Sequence, residues 1–328
     1  NSMVINAGET ENKGIDLTIN STNITNKNFT WNTSITLSHN KNSVKKLTGE
    51  DVQLWEANFG YSQNTHIIGV NQPLGQMYGY VTDGLYQVSD FDYDAATKTY
   101  TLKDGVPYAG EKGNVKPGMW KFKNIDGSKD NKITEADKTV IGNAYPKIYG
   151  GINNTFTYKD FDLSIFLTYS IGNDVFNATK LTNTKTALQN KNVLAVADSK
   201  HRWVLVNKAG DLITDPQEMA DINKGKTVAA IYDNEAGDTY IHSWAVEDGS
   251  FLKLSNITLG YTFPKKMIRK VGLSKLRLYA TGSNLLTWTK YSGFDPEVST
   301  MGNGLTPGVD FGAYPRSRSF VFGINLAF

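Results

Sequence analysis

The end of the chain constrains the fold more than any other stretch, because its side chains alternate between two kinds. From residue 320 to residue 328 every even position carries a bulky apolar side chain, and every odd position carries a small or polar one. Successive side chains of a β-strand point to opposite faces, so the pattern predicts a strand with one apolar face. Such a strand suits a membrane β-barrel and equally a soluble β-sandwich. The bulky residues are Phe320, Phe322, Ile324, Leu326 and Phe328.

Composition supports an all-β fold. The 328 residues include 17 Tyr, 15 Phe, 6 Trp and 30 Gly, a mixture that favours strands and turns over helices. The 34 Lys and Arg residues nearly balance the 32 Asp and Glu residues, so the charge gives no reason to expect a nucleic acid as partner. Without cysteine, the chain has neither disulfides nor thiol chemistry. It has no run of about 18 apolar residues that would predict a membrane-spanning helix.

The same alternation recurs along the chain. Residues 14–20 and 29–37 predict an antiparallel hairpin that turns through 23–28. The clearest strand covers 161–171, where all six odd positions are apolar and only Phe166 interrupts the polar face. At about 3.3 Å per residue its eleven residues reach about 36 Å, enough to cross a bilayer core when tilted.

The strand predicted for residues 251–263 contains a conflict of phase. Its first apolar residues fall at even positions and its later ones at odd positions, so we expect a β-bulge near Ser255 and Asn256. The bulge keeps Lys253 off the apolar face, where a charge near the bilayer midplane would cost about 2–4 kcal/mol. The residues in conflict are Leu252 and Leu254 against Ile257, Leu259, Tyr261 and Phe263.

Two stretches, 41–146 and 173–247, lack a clean alternation and are too long for ordinary connections. Tight turns near 23–28, 159–160 and 264–274 join strands elsewhere, so we expect both long stretches at the opposite end of the sheet. Short turns at one end and long loops at the other are the plan of an outer-membrane barrel. Within the second stretch, 181–195 and 216–222 favour short helices.

The first long stretch is rich in aromatic residues. These rings have two interpretations: they stack on a ligand such as a sugar ring, or they form a small core of their own. The second interpretation suits most of them. The residues are Trp55, Phe59, Tyr61, Tyr78, Tyr80, Tyr93 and Trp120.

One motif predicts a calcium site. Residues 126–137 place oxygen-bearing side chains at positions one, three, five and twelve of a loop, and a carbonyl at position seven, as a calcium-binding loop requires. Asn131 stands where glycine is usual, and an aspartate replaces the usual final glutamate. The alternative is an acidic surface turn without metal. The predicted ligands are Asp126, Ser128, Asp130, Lys132 and Asp137.

No catalytic constellation is present. The four histidines, His39, His66, His201 and His242, do not have the spacing of metal ligands. Neither a serine nucleophile elbow nor a phosphate-binding loop occurs. A glycosidase pair could in principle be formed by carboxylates such as Asp92, Asp94, Asp233 and Glu235, but acidic residues in polar loops are usually only solvated.

Two stretches carry a resemblance to a known family. Residues 251–264 and 282–298 closely resemble the C-terminal end of SusC-like transporters, the SusC/RagA family of TonB-dependent outer-membrane transporters. Four further stretches look like segments of that family and occur in the family's order. They are residues 12–17, 79–85, 126–137 and 141–147. The resemblance therefore covers nearly the whole chain.

The resemblance implies an antiparallel transmembrane β-barrel of about 22 strands with a plug in its lumen. Residues 1–328 would form its C-terminal portion, and the N-terminal plug and the earlier strands would lie outside this chain. The implied function is TonB-dependent uptake across the Gram-negative outer membrane, with no reaction catalysed. The cargo would be an oligosaccharide or a peptide, delivered by a SusD-like surface lipoprotein. The lipid-facing residues would include Leu163, Ile165, Leu167, Ile324 and Leu326.

The alternative is a soluble, secreted, carbohydrate-binding β-protein. Such a protein would bury its apolar strand faces against a second sheet. The two interpretations therefore differ in whether the apolar face is covered by protein.

Overall fold

The computed structural model describes residues 8–58, 62–184, 192–232, 240–300 and 304–328, and its largest element is a seven-stranded antiparallel sheet. Neighbouring strands of this sheet follow one another in chain order. We call the sheet the wall. Its strands are β1 (Gly8–Thr25), β2 (Phe29–Leu47), β3 (Ile148–Tyr158), β4 (Phe161–Ile171), β5 (Phe251–Thr262), β6 (Lys275–Thr289) and β7 (Ser319–Ala327).

The strand registers align the apolar residues of the wall into rows on one face, which we call the outer face. Directly opposed residues of an antiparallel pair share a face, so a row can be followed from strand to strand. One row contains Ile19, Ile35, Ile152, Leu167, Leu254 and Leu286. Another contains Leu163, Leu259, Ala280 and Phe322.

None of the described residues outside the wall covers the outer face. Ile15 is 69% exposed, Leu259 53% and Ile324 64%, although all three side chains are strongly apolar. A soluble domain does not leave a continuous apolar face of this extent open, whereas a membrane wall presents one to lipid. The five residues expected to face lipid, Leu163, Ile165, Leu167, Ile324 and Leu326, all lie in rows of the outer face.

The opposite, inner face of the wall is polar and linked across its strands. Arg277 Nε donates to Asp162 Oδ1 at 2.9 Å, and the hydroxyls of Thr258 and Thr281 are 2.9 Å apart. Phe166 is the apolar exception that the sequence pattern indicated. Its ring lies against Gly151, where an added Cβ would be 2.9 Å from Phe166 Cε2, so the glycine makes room for it.

The predicted bulge in β5 is confirmed. The register between β4 and β5 shifts here, because the adjacent Phe166 and Leu167 pair with Asn256 and Leu254, which leaves Ser255 as the additional residue. The Ser255 hydroxyl lies 2.7 Å from that of Thr168 on β4. Because of the shift, Lys253 lies on the inner face, where it is only 4% exposed.

Long connections lie at one end of the wall and short turns at the other. The first connection, 48–147, begins later than the expected residue 41, because the β1–β2 ladder continues to the pair Gly8 and Leu47. The second spans 172–250. A third, 290–318, links β6 to β7 and was not identified from the sequence, since most of it has no regular structure.

The helices are short. They are α1 (Ala178–Asn183), α2 (Pro216–Ile222) and α3 (Lys265–Ile268). α2 has the predicted bounds and begins with Asp215 as its cap, whose carboxylate accepts from Glu218 N. α1 begins before residue 181, the predicted start, because the Asn177 side chain caps the helix by accepting from Lys180 N. Of the helix predicted for 181–195, residues 185–191 lie outside the described residues. No helix in the described ranges is long and apolar enough to cross a membrane.

The described residues of the three connections pack together into one unit, which we call the loop body. Met77, Phe176, Ile241 and Val309, which come from all three connections, share one buried cluster. Its short strands are Val52–Asn58, Ser62–Gly69, Gln76–Tyr80, Thr82–Leu85, Phe91–Asp94, Thr99–Leu102, Tyr108–Ala109, Trp120–Phe122, Lys132–Ile133, Lys138–Asn143, Asp174–Asn177, Val246–Asp248 and Val309–Asp310.

The outer face yields a test. We expect Ile165→Arg to impair assembly of the complete protein in the membrane by about 2–4 kcal/mol, the cost of a cation near the bilayer midplane. The adjacent Ser164→Arg, on the polar inner face, is the matched control. The heat-modifiable mobility and amount of each variant in isolated membranes measure the effect. Normal amounts and stability of Ile165→Arg would show that the assignment of faces is wrong.

Candidate functional site

A cleft of about 440 Å³ opens where the loop body meets the inner face of the wall. Its lining comes from the ends of β3, β4 and β5 and from all three long connections. Strands of the wall and all three connections therefore contribute to one surface. The lining includes Tyr149, Thr168, Asp174, Phe251, Pro296 and Glu297.

Tyr149 and Phe251 lie on the floor of the cleft, on inner-face positions of β3 and β5 that both oppose Ser170. The Tyr149 hydroxyl accepts a hydrogen bond from Asn40 Nδ2 at 2.8 Å, which fixes the ring against β2. Ser170 Oγ donates to Asn173 Oδ1 at 2.8 Å, and Asn173 Nδ2 donates to Gly249 O at 3.1 Å. The floor is thereby tied to both ends of the second connection.

An ionic network holds the third connection against the wall. Lys253 Nζ lies 2.7 Å from Glu297 Oε2, and Arg316 Nη1 lies 3.2 Å from the same oxygen. Arg316 Nε lies 2.9 Å from Asp295 Oδ2. A buried ammonium needs a partner to offset its loss of hydration, so the buried Lys253 fixes the position of Glu297. Glu297 and its neighbours form one lip of the cleft.

Asp174 supplies the half-buried carboxylate of the cleft. Burial raises the pKa of this carboxyl, and the adjacent Asp248 adds to the rise, while a hydrogen bond from Asn143 N opposes it. That bond joins Asn143 N to Asp174 Oδ2 at 2.9 Å. The carboxylate therefore also links the first and second connections.

His66 links the first connection to the third. Its Nε2 lies 2.9 Å from Pro307 O, and its Nδ1 lies 2.8 Å from Thr65 Oγ1. The carbonyl can only accept, so Nε2 carries a proton. Burial lowers the pKa of His66 to about 4, so the ring is neutral near pH 7.

The predicted calcium loop is held by its own hydrogen bonds. Asp137 is fully buried, and its Oδ1 accepts from Ile125 N at 2.7 Å and from Asp126 N at 3.3 Å. Its Oδ2 accepts from Thr134 N at 2.8 Å. Asn131 has the left-handed backbone, φ 55°, that the motif requires there.

The other two predicted aspartate ligands also accept from the backbone of the loop. Asp126 Oδ1 accepts from Ser128 N and Asp130 Oδ1 from Lys132 N. Across the described ranges, no three His, Asp or Glu residues are grouped so that they could hold a metal ion. Asp137 therefore acts as an internal cap of the loop, and calcium binding by the five predicted ligands stays a prediction.

The aromatic residues of the first connection serve mainly its core. Tyr80 and Trp120 belong to a buried cluster with Phe122 and Trp203, so the core interpretation holds for both. Tyr93 donates its hydroxyl proton to Thr214 O. Phe59 and Tyr61 lie outside the described residues.

The histidines and the other candidate carboxylates contact separate parts of the protein. His39 contacts Lys147 O, His201 contacts Asp198 and His242 contacts Thr82. Asp94 accepts from Thr97 and Ala96 N, while Asp92 is an exposed strand residue. Asp233 and Glu235 lie outside the described residues.

Sequence comparison finds related receptors. No family model matches the chain. The chain is 33% identical over 334 residues to TonB-dependent receptor P3 of Formosa agariphila. That alignment covers 100% of the chain and 30% of the receptor. It is 30% identical to TonB-dependent receptor P39 of the same species, over 98% of the chain and 31% of the receptor. It is 28% identical to TonB-dependent receptor SusC of Bacteroides thetaiotaomicron, over 99% of the chain and 27% of SusC.

Structural comparison agrees with the sequence comparison. The RagAB peptide transporter matches with a TM-score of 0.66 and 22% identity, over 98% of this chain and 30% of that one. The RagAB peptide importer in its open-open state matches with a TM-score of 0.63 and 21% identity. The chain thus spans about 30% of the length of the proteins that it matches.

The neutral state of His66 predicts a pH dependence. Between pH 6.5 and pH 4 the unfolded chain binds a proton at this residue and the folded protein does not. The free energy of unfolding therefore decreases as the pH is lowered through this range, by at most about 3 kcal/mol. We expect the difference in thermal midpoint between the wild type and His66→Gln to be largest above pH 6.5 and to shrink towards pH 4. A difference that stays constant from pH 7 to pH 4 would contradict a neutral buried His66.

The internal cap predicts a second effect. Asp137→Ala leaves three backbone N–H groups without their acceptor, at a cost of about 1–3 kcal/mol. We expect faster hydrogen–deuterium exchange at residues 124–134 of the intact protein. Asp130→Ala, at an exposed position whose carboxylate accepts from Lys132 N, is the control. Equal exchange in both variants would mean that Asp137 does not hold the loop.

Proposed function

Because the chain belongs to the SusC-like family of TonB-dependent receptors, we propose that the complete protein imports a nutrient across the outer membrane with energy supplied through TonB. The observation that carries this proposal is the uncovered apolar outer face of the wall, backed by a polar inner face. A wall of this kind separates lipid from a polar lumen. The protein moves its cargo without catalysing a reaction on it.

The proposed cargo is an oligosaccharide or a peptide. SusC is among the relatives, and the RagAB structures are of a peptide transporter. The long-connection end of the wall would be extracellular, with the loop body at the mouth of the barrel. A SusD-like surface lipoprotein would deliver cargo to that mouth, and TonB would engage a part of the protein outside this chain.

Fractionation of native cells tests this function. We expect the protein in the outer membrane, and we expect mass spectrometry of the detergent-solubilised complex to find plug-containing peptides and a surface lipoprotein. Deletion of its gene should abolish uptake of the cargo that the complex binds. Recovery of the protein in a soluble fraction, alone, would refute the proposal and favour a secreted carbohydrate-binding protein.

Calcium binding by residues 126–137 stays a prediction. The spacing of oxygen ligands supports it, and Asp137 Oδ2, which among the described residues accepts only from Thr134 N, retains a lone pair that an ion could use. Terbium luminescence of the intact protein, compared with that of Asp126→Asn, measures it. A calcium-competed signal that Asp126→Asn loses would establish binding, and its absence in the wild type would exclude it.

A further inference from the structure

We propose that the stretch joining β5 to β6 binds the anionic headgroups of phospholipids at the membrane edge of the wall. This stretch, residues 264–275, includes α3, and we call it the basic turn because it carries five cationic side chains and no acidic one. The inference rests on the proposed outer-membrane function, since it requires the short-turn end of the wall to meet a lipid leaflet. The cations are Lys265, Lys266, Arg269, Lys270 and Lys275.

The charge of the basic turn is not neutralised by the protein. All five cations are exposed, and within the described ranges none of them pairs with a carboxylate. Arg277, two residues farther along β6, differs, because its Nε donates to Asp162 Oδ1 at 2.9 Å. Like charges this close repel one another, and an anion from outside the chain would relieve the repulsion.

The backbone of the basic turn is fixed by contacts with the rest of the wall. Ile268 is only 3% exposed, so it packs against protein. Leu273 N donates to Ile268 O at 3.2 Å, and Gly272 ends the helical segment with a left-handed backbone, φ 75°. Ser274 N donates to Ala327 O at 2.8 Å, which ties the turn to the end of β7. The backbone therefore loses little conformational freedom when a ligand binds.

The helical part of the turn, residues 265–271, is amphipathic. At about 100° per residue, Met267, Ile268 and Val271 share one side, and the four cations of this part lie on the other. Ile268 is buried, whereas Met267 is 60% exposed and Val271 70%. Exposed apolar side chains beside a cationic face are typical of a helix that lies in a membrane interface.

A row of aromatic residues places the basic turn at the edge of the bilayer. Tyr158, Phe161 and Tyr261 oppose one another on the outer face, in the same row as Ile324. The ring centres of Phe161 and Tyr261 are 4.7 Å apart. Aromatic girdles of this kind mark the boundary between lipid and water in membrane barrels. Lys265 is four residues beyond Tyr261, at most about 14 Å of chain, so the turn reaches the level of the headgroups.

The two neighbouring short turns carry charge of the same sign. Lys27 lies between β1 and β2, and Lys159 lies between β3 and β4, and both are exposed. Lys159 Nζ is 5.4 Å from the centre of the Tyr158 ring, so a cation lies directly beside the aromatic row. Asp160 is the one acidic residue in the sequence of these three turns. Seven cations and one carboxylate suit an anionic lipid surface better than a neutral one.

Lipid retention by the complete protein tests the proposal. The purified protein is mixed in detergent with equimolar phosphatidylglycerol and phosphatidylethanolamine, and native mass spectrometry measures which lipid stays bound. We expect the anionic lipid to predominate. A basic residue near an anionic surface is worth about fivefold in affinity, so removal of four should lower this preference at least about tenfold. The test variant combines Lys265→Gln, Lys266→Gln, Arg269→Gln and Lys270→Gln.

A matched control removes the same charge from the opposite end of the protein. Four exposed lysines of the loop body are replaced, and this variant should retain lipid as the wild type does. An unchanged preference in the basic-turn variant, or an equal loss in both variants, would overturn the lipid site while leaving import intact. The control combines Lys129→Gln, Lys200→Gln, Lys208→Gln and Lys224→Gln.

A depth measurement keeps the proposal testable if the basic-turn variant does not assemble. This chain has no cysteine, so a fluorophore on Met267→Cys or Lys224→Cys can report from one position of the protein in nanodiscs. We expect lipids brominated close to the headgroup to quench the label at position 267 and not that at position 224. Absence of quenching at position 267 would place the turn in water and overturn the proposal. Absence of the protein from the outer membrane would instead refute the import function itself.

Discussion

Pairing of backbone N–H and C=O groups between neighbouring strands is the constraint on which the rest of this structure depends. A bilayer core offers no water to an unpaired backbone group, so a chain that crosses it as strands must pair every strand on both sides. The five interior strands of the wall meet this requirement within the chain. β1 and β7 each have one free edge within the described residues, and these edges are where the remaining strands of a barrel would pair.

Once the backbone is paired, the alternation of side chains determines which residues lie on each face of the wall. A period of two sends Leu163 outwards and Ser164 inwards, so one face can be apolar while the other is polar. The bulge at Ser255 shows how strictly this rule is kept. It admits one additional residue so that Lys253 stays on the inner face, where Glu297 and Arg316 compensate its charge. The cleft exists because that network holds the third connection close to the inner face.

The sequence predicted those features that depend on neighbours along the chain. The bounds of β4, the bounds of α2 and the bulge all follow from local patterns, namely alternation, capping residues and a change of phase. It did not predict contacts between distant segments. The pairing of Val309 with Phe176 and that of Glu297 with Lys253 leave no periodic signal, because each joins isolated residues across long loops. The third connection was missed for this reason.

The loop of residues 126–137 shows a different limit. Spacing alone indicates which oxygens are present and not what they bind, and Asp137 binds backbone N–H groups from both sides of the loop. Family resemblance added what local patterns lacked, since it indicated that residues 251–264 and 282–298 belong to a much larger barrel. The comparisons agree, because the relatives are about three times as long as this chain.

Spin-label accessibility can show whether the apolar face of the wall contacts lipid. The chain has no cysteine, so single cysteines placed at each position from 161 to 171 can be labelled one at a time in the membrane-embedded protein. The account predicts accessibility to oxygen at odd positions and to a water-soluble paramagnetic reagent at even positions, with a period of two. Uniform accessibility along the strand, or the opposite phase, would contradict it.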